Sequence, residues 1–224
     1  MSKIFVAIDG PAGSGKSSVS KQVARQLGWG YLDTGAAYRA LTWAVQNLPE
    51  FQLDRVSHLD LPIVFDYAIS TDPDKYWVRV GSEDVTEAIR STKVAEGVSR
   101  VAQIPEVRDY MKQLTRAIVG ECPRPGIVVE GRDITTVVLP DANARLLLTA
   151  SEEVRLKRRS AEIGQTDTQL VARQVSQRDA SDAKVVDFMT PAQGVSLIDS
   201  SNLNFAETVA AVLETIANAT TKDQ

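Results

Sequence analysis

The chain has 224 residues, with 25 Lys and Arg against 29 Asp and Glu and a net charge of −4. Its 43% hydrophobic and 24% charged residues exclude a disordered chain, and one cysteine and one histidine (Cys122, His58) exclude a disulfide framework, a thiolate metal cage and a multi-histidine metal site. No run approaches the roughly 20 apolar residues of a membrane helix, and the acidic balance argues against broad nucleic-acid binding, so a cytoplasmic protein with neither partner is expected.

Residues 3–9 are a continuous apolar run that stops at Asp9, the pattern of a strand buried on both faces rather than of a signal peptide. Residues 16–27 follow as a helix with Val19, Val23 and Leu27 on one stripe. A short strand over 30–32 and a helix over 36–46 come next. In the middle, the alternating runs 63–70 and 76–80, separated by Thr71-Asp72-Pro73-Asp74-Lys75, predict an antiparallel hairpin. Helices are expected over 88–101 and 105–119. The alternation then resumes with strands over 126–130 and 144–149, a helix over 151–163 and a strand over 195–199. A last helix begins near Asn204, with Glu207 completing a capping box. Alternating strands and helices at both ends predict an α/β fold with a parallel sheet, interrupted by an antiparallel insertion. The polar segment 155–190 predicts weakly packed, mobile helix.

Gly10-Pro11-Ala12-Gly13-Ser14-Gly15-Lys16-Ser17 matches G-x-x-x-x-G-K-[ST], with Ser18 next and a strand and a helix on either side. Glycines let backbone N–H groups curl around phosphate oxygens, and the helix places its positive end at the same anion. Lys16 is expected to reach the terminal phosphates of a nucleoside triphosphate and Ser17 to ligate Mg²⁺. No guanine-reading Asn-Lys-x-Asp segment is present, which argues against a switch GTPase. Thr34 and Arg39 open the second helix and form a second candidate anion site, the alternative being an ordinary cap with a solvated arginine. Glu130-Gly131-Arg132-Asp133 ends a buried strand, where ligands bind in open α/β sheets. Arg155, Arg158 and Arg159 follow the next strand, and Arg178 precedes Asp182 by one turn; spacing alone leaves surface ion pairs equally open.

These residues resemble a family. Gly10–Ser18, Leu32-Asp-Thr-Gly-Ala-Ala-Tyr-Arg39, the stretch 94–108, Gly131-Arg-Asp133 with Val137-Val-Leu-Pro-Asp-Ala142, and Gln177-Arg-Asp179 look like bacterial cytidylate kinases, in unbroken order from about residue 3 to 213. The resemblance implies one P-loop kinase domain with a five-stranded parallel core, a monophosphate-binding insertion at about 54–100 and a short helical lid at about 157–190. It implies γ-phosphoryl transfer from ATP, with Mg²⁺, to CMP and dCMP. Thr34, Arg39 and Arg132 match positions that hold the acceptor's phosphate. Ser99, Arg108 and Asp133 match those that read cytosine, and Arg178 and Asp182 those near the sugar. Arg155, Arg158 and Arg159 match arginines near the transferring phosphates, and Glu130 can face Mg²⁺ through water. A monomer is implied. Three positions depart from the usual pattern: Glu130 for Asp, Thr135 for Gly, and Val185 where an arginine is usual. Either the adjacent Lys184 takes that arginine's role or one acceptor contact is missing. Another small-molecule P-loop kinase, a nucleotide-binding regulatory module and a nucleic-acid binder are the competing readings.

Overall fold

A computed structural model describes residues 3–163, 172, 176, 179–180 and 187–221. The chain divides into two compact units, Met1–Tyr31 with Pro123–Gln224, and Leu32–Cys122.

The first unit is built on β1 (Ile4–Asp9), α1 (Lys16–Leu27) and, after the second unit, β6 (Gly126–Gly131), β7 (Ala144–Thr149), α6 (Glu152–Ile163), β8 (Ser196–Asp199) and α7 (Phe205–Thr221). β2 (Gly30–Asp33) completes a five-stranded sheet of order β2-β6-β1-β7-β8, in which β6, β1, β7 and β8 pair in parallel. Val6, Ala7, Ile8, Ile127, Val128, Val129, Leu146 and Leu148 are fully enclosed, which explains their unbroken apolar runs: both faces of the sheet are covered. Full burial of each larger aliphatic stabilises the fold by about 1.5–3 kcal/mol. α1 lies on β6 and against α7. It closes where the Gly28 and Trp29 N–H groups donate back to Arg25 and Ala24 carbonyls, a C-terminal wrap of the kind glycine permits.

The second unit holds α2 (Thr34–Asn47), α3 (Leu61–Val64), β3 (Tyr67–Ile69), β4 (Val78–Val80), β5 (Glu83–Asp84), α4 (Thr92–Ala102) and α5 (Pro105–Glu121). Its three short strands are antiparallel. Its own core joins Leu41, Val56, Phe65, Val78, Ile89, Val107 and Met111.

Most expected elements stand within a residue or two. The first strand of the hairpin is shorter than its pattern suggested. Ile63 and Val64 belong to a helical turn whose N–H groups donate to Asp60 O at 2.8 and 3.0 Å. Pro62 sits in the first turn, where its missing N–H costs nothing. Both side chains are exposed and Leu61 is buried instead, so the apolar run does not mark a strand there. The helix expected over 88–101 is divided at Ser91, whose hydroxyl caps the Val94 N–H. Ile134–Val138 is a π-helical turn that sequence periodicity did not signal. The segment read as mobile helix falls largely outside the described residues, with Arg178, Asp182, Lys184 and Val185.

Asn204 and Glu207 form the reciprocal capping box: Glu207 N–H donates to Asn204 Oδ1 at 3.0 Å and Asn204 N–H to Glu207 Oε2 at 2.8 Å. Asn204→Ala is therefore expected to cost about 1 kcal/mol, lowering the thermal midpoint by about 2–4 °C. An unchanged midpoint would show that the cap carries no stability.

Candidate active site

In the first unit, the loop 10–15 joins β1 to α1 at the carboxyl edge of the sheet. Gly13 and Gly15 have φ of 76° and 87°, a conformation that side-chain-bearing residues rarely adopt. A Cβ on Gly13 would also strike the Arg155 carbonyl oxygen, and one on Gly10 the Leu148 carbonyl oxygen. A loop whose amides turn toward an anion turns its carbonyls away from it. Three arginines meet those carbonyls at alternate positions. Arg132 Nη1 donates to Gly10 O at 3.0 Å, Arg155 Nη1 to Ala12 O at 2.9 Å and Arg158 Nη1 to Ser14 O at 3.1 Å.

Each arginine is further anchored. The Arg132 guanidinium lies 4.4 Å from the centre of the Phe188 ring. Arg158 donates to Ser200 Oγ and Ser200 O, both at 2.9 Å, and to Leu203 O at 3.3 Å, tying the segment after β8 to the loop. Arg155 is 7% exposed. Arg159, one helical turn after Arg155, is half-buried.

Lys16 Nζ lies 3.4 Å from Pro11 O, and Ser17 and Ser18 are exposed in the first turn of α1. Glu130 is buried at the end of β6 and accepts from the Tyr31 hydroxyl at 3.0 Å. Among the described residues no cluster of three or more His, Cys, Asp or Glu could hold a metal. The Ser17 hydroxyl and the Glu130 carboxylate are hard oxygen donors of the kind Mg²⁺ takes one or two at a time, so this donor set fits a nucleotide-borne Mg²⁺.

Two carboxylates here were not among the expected site residues. Asp9 accepts from Ile134 N–H at 2.9 Å, Thr135 N–H at 2.8 Å and Thr135 Oγ1 at 2.6 Å, and so caps the π-helical turn behind Asp133. Its signal was a charged residue ending an apolar strand directly before the loop. Asp179 accepts from Ala12 N–H at 3.1 Å and Arg155 Nη1 at 2.6 Å and lies 3.3 Å from Arg132 Nη1. In the sequence it stands out only as the last residue of Gln177-Arg-Asp179. Asp133 itself is half-buried.

In the second unit, Asp33 caps α2 through the Ala36 N–H at 3.2 Å and pairs with Arg39 Nη2 at 2.7 Å. The arginine is therefore held at the helix start rather than solvated, and Thr34 beside it is buried. Burial pushes the Tyr67 hydroxyl well above its ordinary pKa, with Tyr76 and Asp33 adding to the effect. Ser99 on α4 and Arg108 on α5 are both half-buried. The structure thus gathers Arg132, Arg155 and Arg158 on the loop of the first unit, and places Thr34, Arg39, Ser99 and Arg108 in the second.

A profile described as cytidylate kinase matches residues 6–218. The chain belongs to the cytidylate kinase family. It is 39% identical to a cytidylate kinase of Cutibacterium acnes, with 96% of each chain covered. It is 41% identical to that of Rhodococcus opacus, over 95% of this chain and 94% of the other, and 41% identical to that of Mycobacterium leprae, over 96% of each. Among solved structures, TT1252 from Thermus thermophilus superposes with a TM-score of 0.50 at 20% identity, covering 97% of this chain and 98% of that one. An uncharacterised protein from Eubacterium ventriosum gives 0.51 at 14%, covering 96% and 99%. These two likenesses concern the fold. The chain is thus an enzyme of a nucleotide-binding kinase family. None of its described helices is long and apolar enough to cross a membrane.

Burial raises the Asp9 pKa above its ordinary 3.8, outweighing the Thr135 and Ile134 hydrogen bonds that lower it. An acid with a raised folded pKa binds its proton more tightly when folded, so it favours folding at low pH and loses that contribution as pH climbs. Stability measured relative to Asp9→Asn should fall as pH rises from about 4 through the raised pKa, then level off. A difference that grows with pH would contradict this.

Proposed function

We propose that this enzyme transfers the γ-phosphoryl group of ATP to CMP and dCMP, releasing ADP and CDP or dCDP, as a cytoplasmic monomer of pyrimidine nucleotide metabolism. The observation that carries the reading is family membership over residues 6–218 joined to a formed phosphate loop backed by three arginines.

Phosphoryl transfer needs positioning and charge stabilisation more than covalent help. The loop amides, Lys16 and the start of α1 cradle the donor's phosphates. Bound with ATP, Mg²⁺ neutralises phosphate charge; Ser17, and Glu130 through water, are the residues that would hold it. Thr34, Arg39 and Arg132 take the acceptor's phosphate, which is ionised near pH 7 and needs no strong base. Two anions must still approach, and Arg132, Arg155, Arg158 and Arg159 offset that repulsion. Arg178 and Asp182, outside the described residues, are assigned to the acceptor's sugar. The reading keeps one kinase domain, with the monophosphate-binding insertion at 54–100 and the lid at 157–190.

Cytosine presents an exocyclic amine donor beside ring acceptors, and uracil reverses that edge. Asp133 accepts from the amine, and Ser99 and Arg108 donate. Sites built on such bonds can discriminate by about 10⁴–10⁵.

The test is ADP release from Mg–ATP with CMP, dCMP, UMP, AMP and dTMP offered separately. Turnover with CMP and dCMP far above the others is expected, and none with any acceptor would overturn the reading. Asp133→Asn should shrink the CMP-over-UMP ratio, and an unchanged ratio would remove Asp133 from base reading. Arg132→Ala should lower kcat by on the order of 10²-fold or more while ATP still binds; an unchanged kcat would take it out of the reacting site.

A further inference from the structure

We propose that Asp179 is a positioning residue for phosphoryl transfer: its carboxylate pins Arg155 and Arg132 to the outer side of the phosphate loop, and so sets where their charge lies. This deepens the kinase reading above and rests on it.

The carboxylate is 14% exposed and meets three donors. Oδ1 accepts from the Ala12 N–H at 3.1 Å and faces Arg132 Nη1 at 3.3 Å, while Oδ2 accepts from Arg155 Nη1 at 2.6 Å. The same Nη1 atoms also donate to the loop, Arg155 to Ala12 O and Arg132 to Gly10 O. An Nη nitrogen carries two hydrogens, so one can serve the carbonyl and the other the carboxylate. Each guanidinium is thereby fixed at two points rather than one. Ala12 is gripped on both sides, its N–H by Asp179 and its carbonyl by Arg155. The charges agree with this role. Two guanidinium groups drawn to one short loop repel each other, and a carboxylate between them offsets the repulsion while leaving the trio with a net positive charge. Charge-assisted bonds of this length are the strong class, which suits a part that must not move when phosphates arrive. A catalytic group misplaced by about 1 Å can lose on the order of 10²-fold in rate.

Asp179→Asn is the informative change. The amide oxygen can still accept from Ala12 N–H, but the amide nitrogen turns a donor toward Arg155 Nη1, which is also a donor. The experiment is a double-mutant cycle of Asp179→Asn with Arg155→Ala, reading kcat, the KM for Mg–ATP and the thermal midpoint, with CMP as acceptor. We expect Asp179→Asn to lower kcat by roughly 10²-fold, with KM within about threefold and the midpoint within a few degrees of the parent. In the double variant the loss should be clearly smaller than the product of the two single losses, because the part of Asp179's effect that passes through Arg155 is already gone and only its hold on Arg132 remains to be lost. A kcat within twofold of the parent overturns the inference. So do losses that multiply in the double variant, and a fall in midpoint and rise in KM that accompany any loss of kcat. Absence of CMP turnover in the unaltered enzyme overturns the kinase reading itself and this inference with it.

Discussion

The first unit depends on how the carbonyls of one short loop are satisfied. A loop that aims its amides at an anion leaves its carbonyl oxygens facing the protein, where each needs a donor. Arg132, Arg155 and Arg158 supply donors to residues 10, 12 and 14. Hydrogen bonds from charged groups contribute about 1.5–3 kcal/mol each, enough to hold Gly13 and Gly15 in their left-handed conformation before any ligand arrives. The same guanidinium groups add positive charge behind the loop, which suits the polyphosphate proposed to bind there. A cradle built in advance spends little on reorganisation when charge develops.

Strand register explains how three arginines distant in sequence reach one loop. Asp9 ends β1 opposite Gly131 of β6 and Leu147 of β7. Arg132, one residue past β6, therefore emerges beside Gly10. β7 ends just beyond the loop's level and leads into α6, whose Arg155 and Arg158 lie one turn apart on the side facing Ala12 and Ser14. Asp9 secures the arrangement by capping the π-helical turn after Asp133, which fixes the path of the chain as it leaves β6. Thr135 adds its hydroxyl to that cap.

Much of this was legible in the sequence because the signals are local. The loop motif, the buried strands and the Asn204–Glu207 box each depend on residues a few positions apart, and helix Lys16–Leu27 and strand Ala144–Thr149 stand where periodicity put them. What local reading missed is set by partners far along the chain. Nothing near Asp179 says that it will meet Ala12, 167 residues away, and spacing could not show that Arg158 reaches Ser14, Ser200 and Leu203. The π-helical turn was invisible because its N–H groups are capped by Asp9, 125 residues earlier. Ile63 and Val64 misled because exposed apolar residues in a single turn look like half of an alternating strand.

The most direct test of the preformed cradle is the shift in thermal midpoint on adding Mg–ATP, compared between the unaltered enzyme and Lys16→Ala. Binding at 100 times the dissociation constant stabilises the native state by about 2.7 kcal/mol, a readable upward shift. The account predicts that shift in the unaltered enzyme and most of it lost in Lys16→Ala, with both proteins melting alike when no nucleotide is present. No shift in the unaltered enzyme, or equal shifts in both, would contradict it.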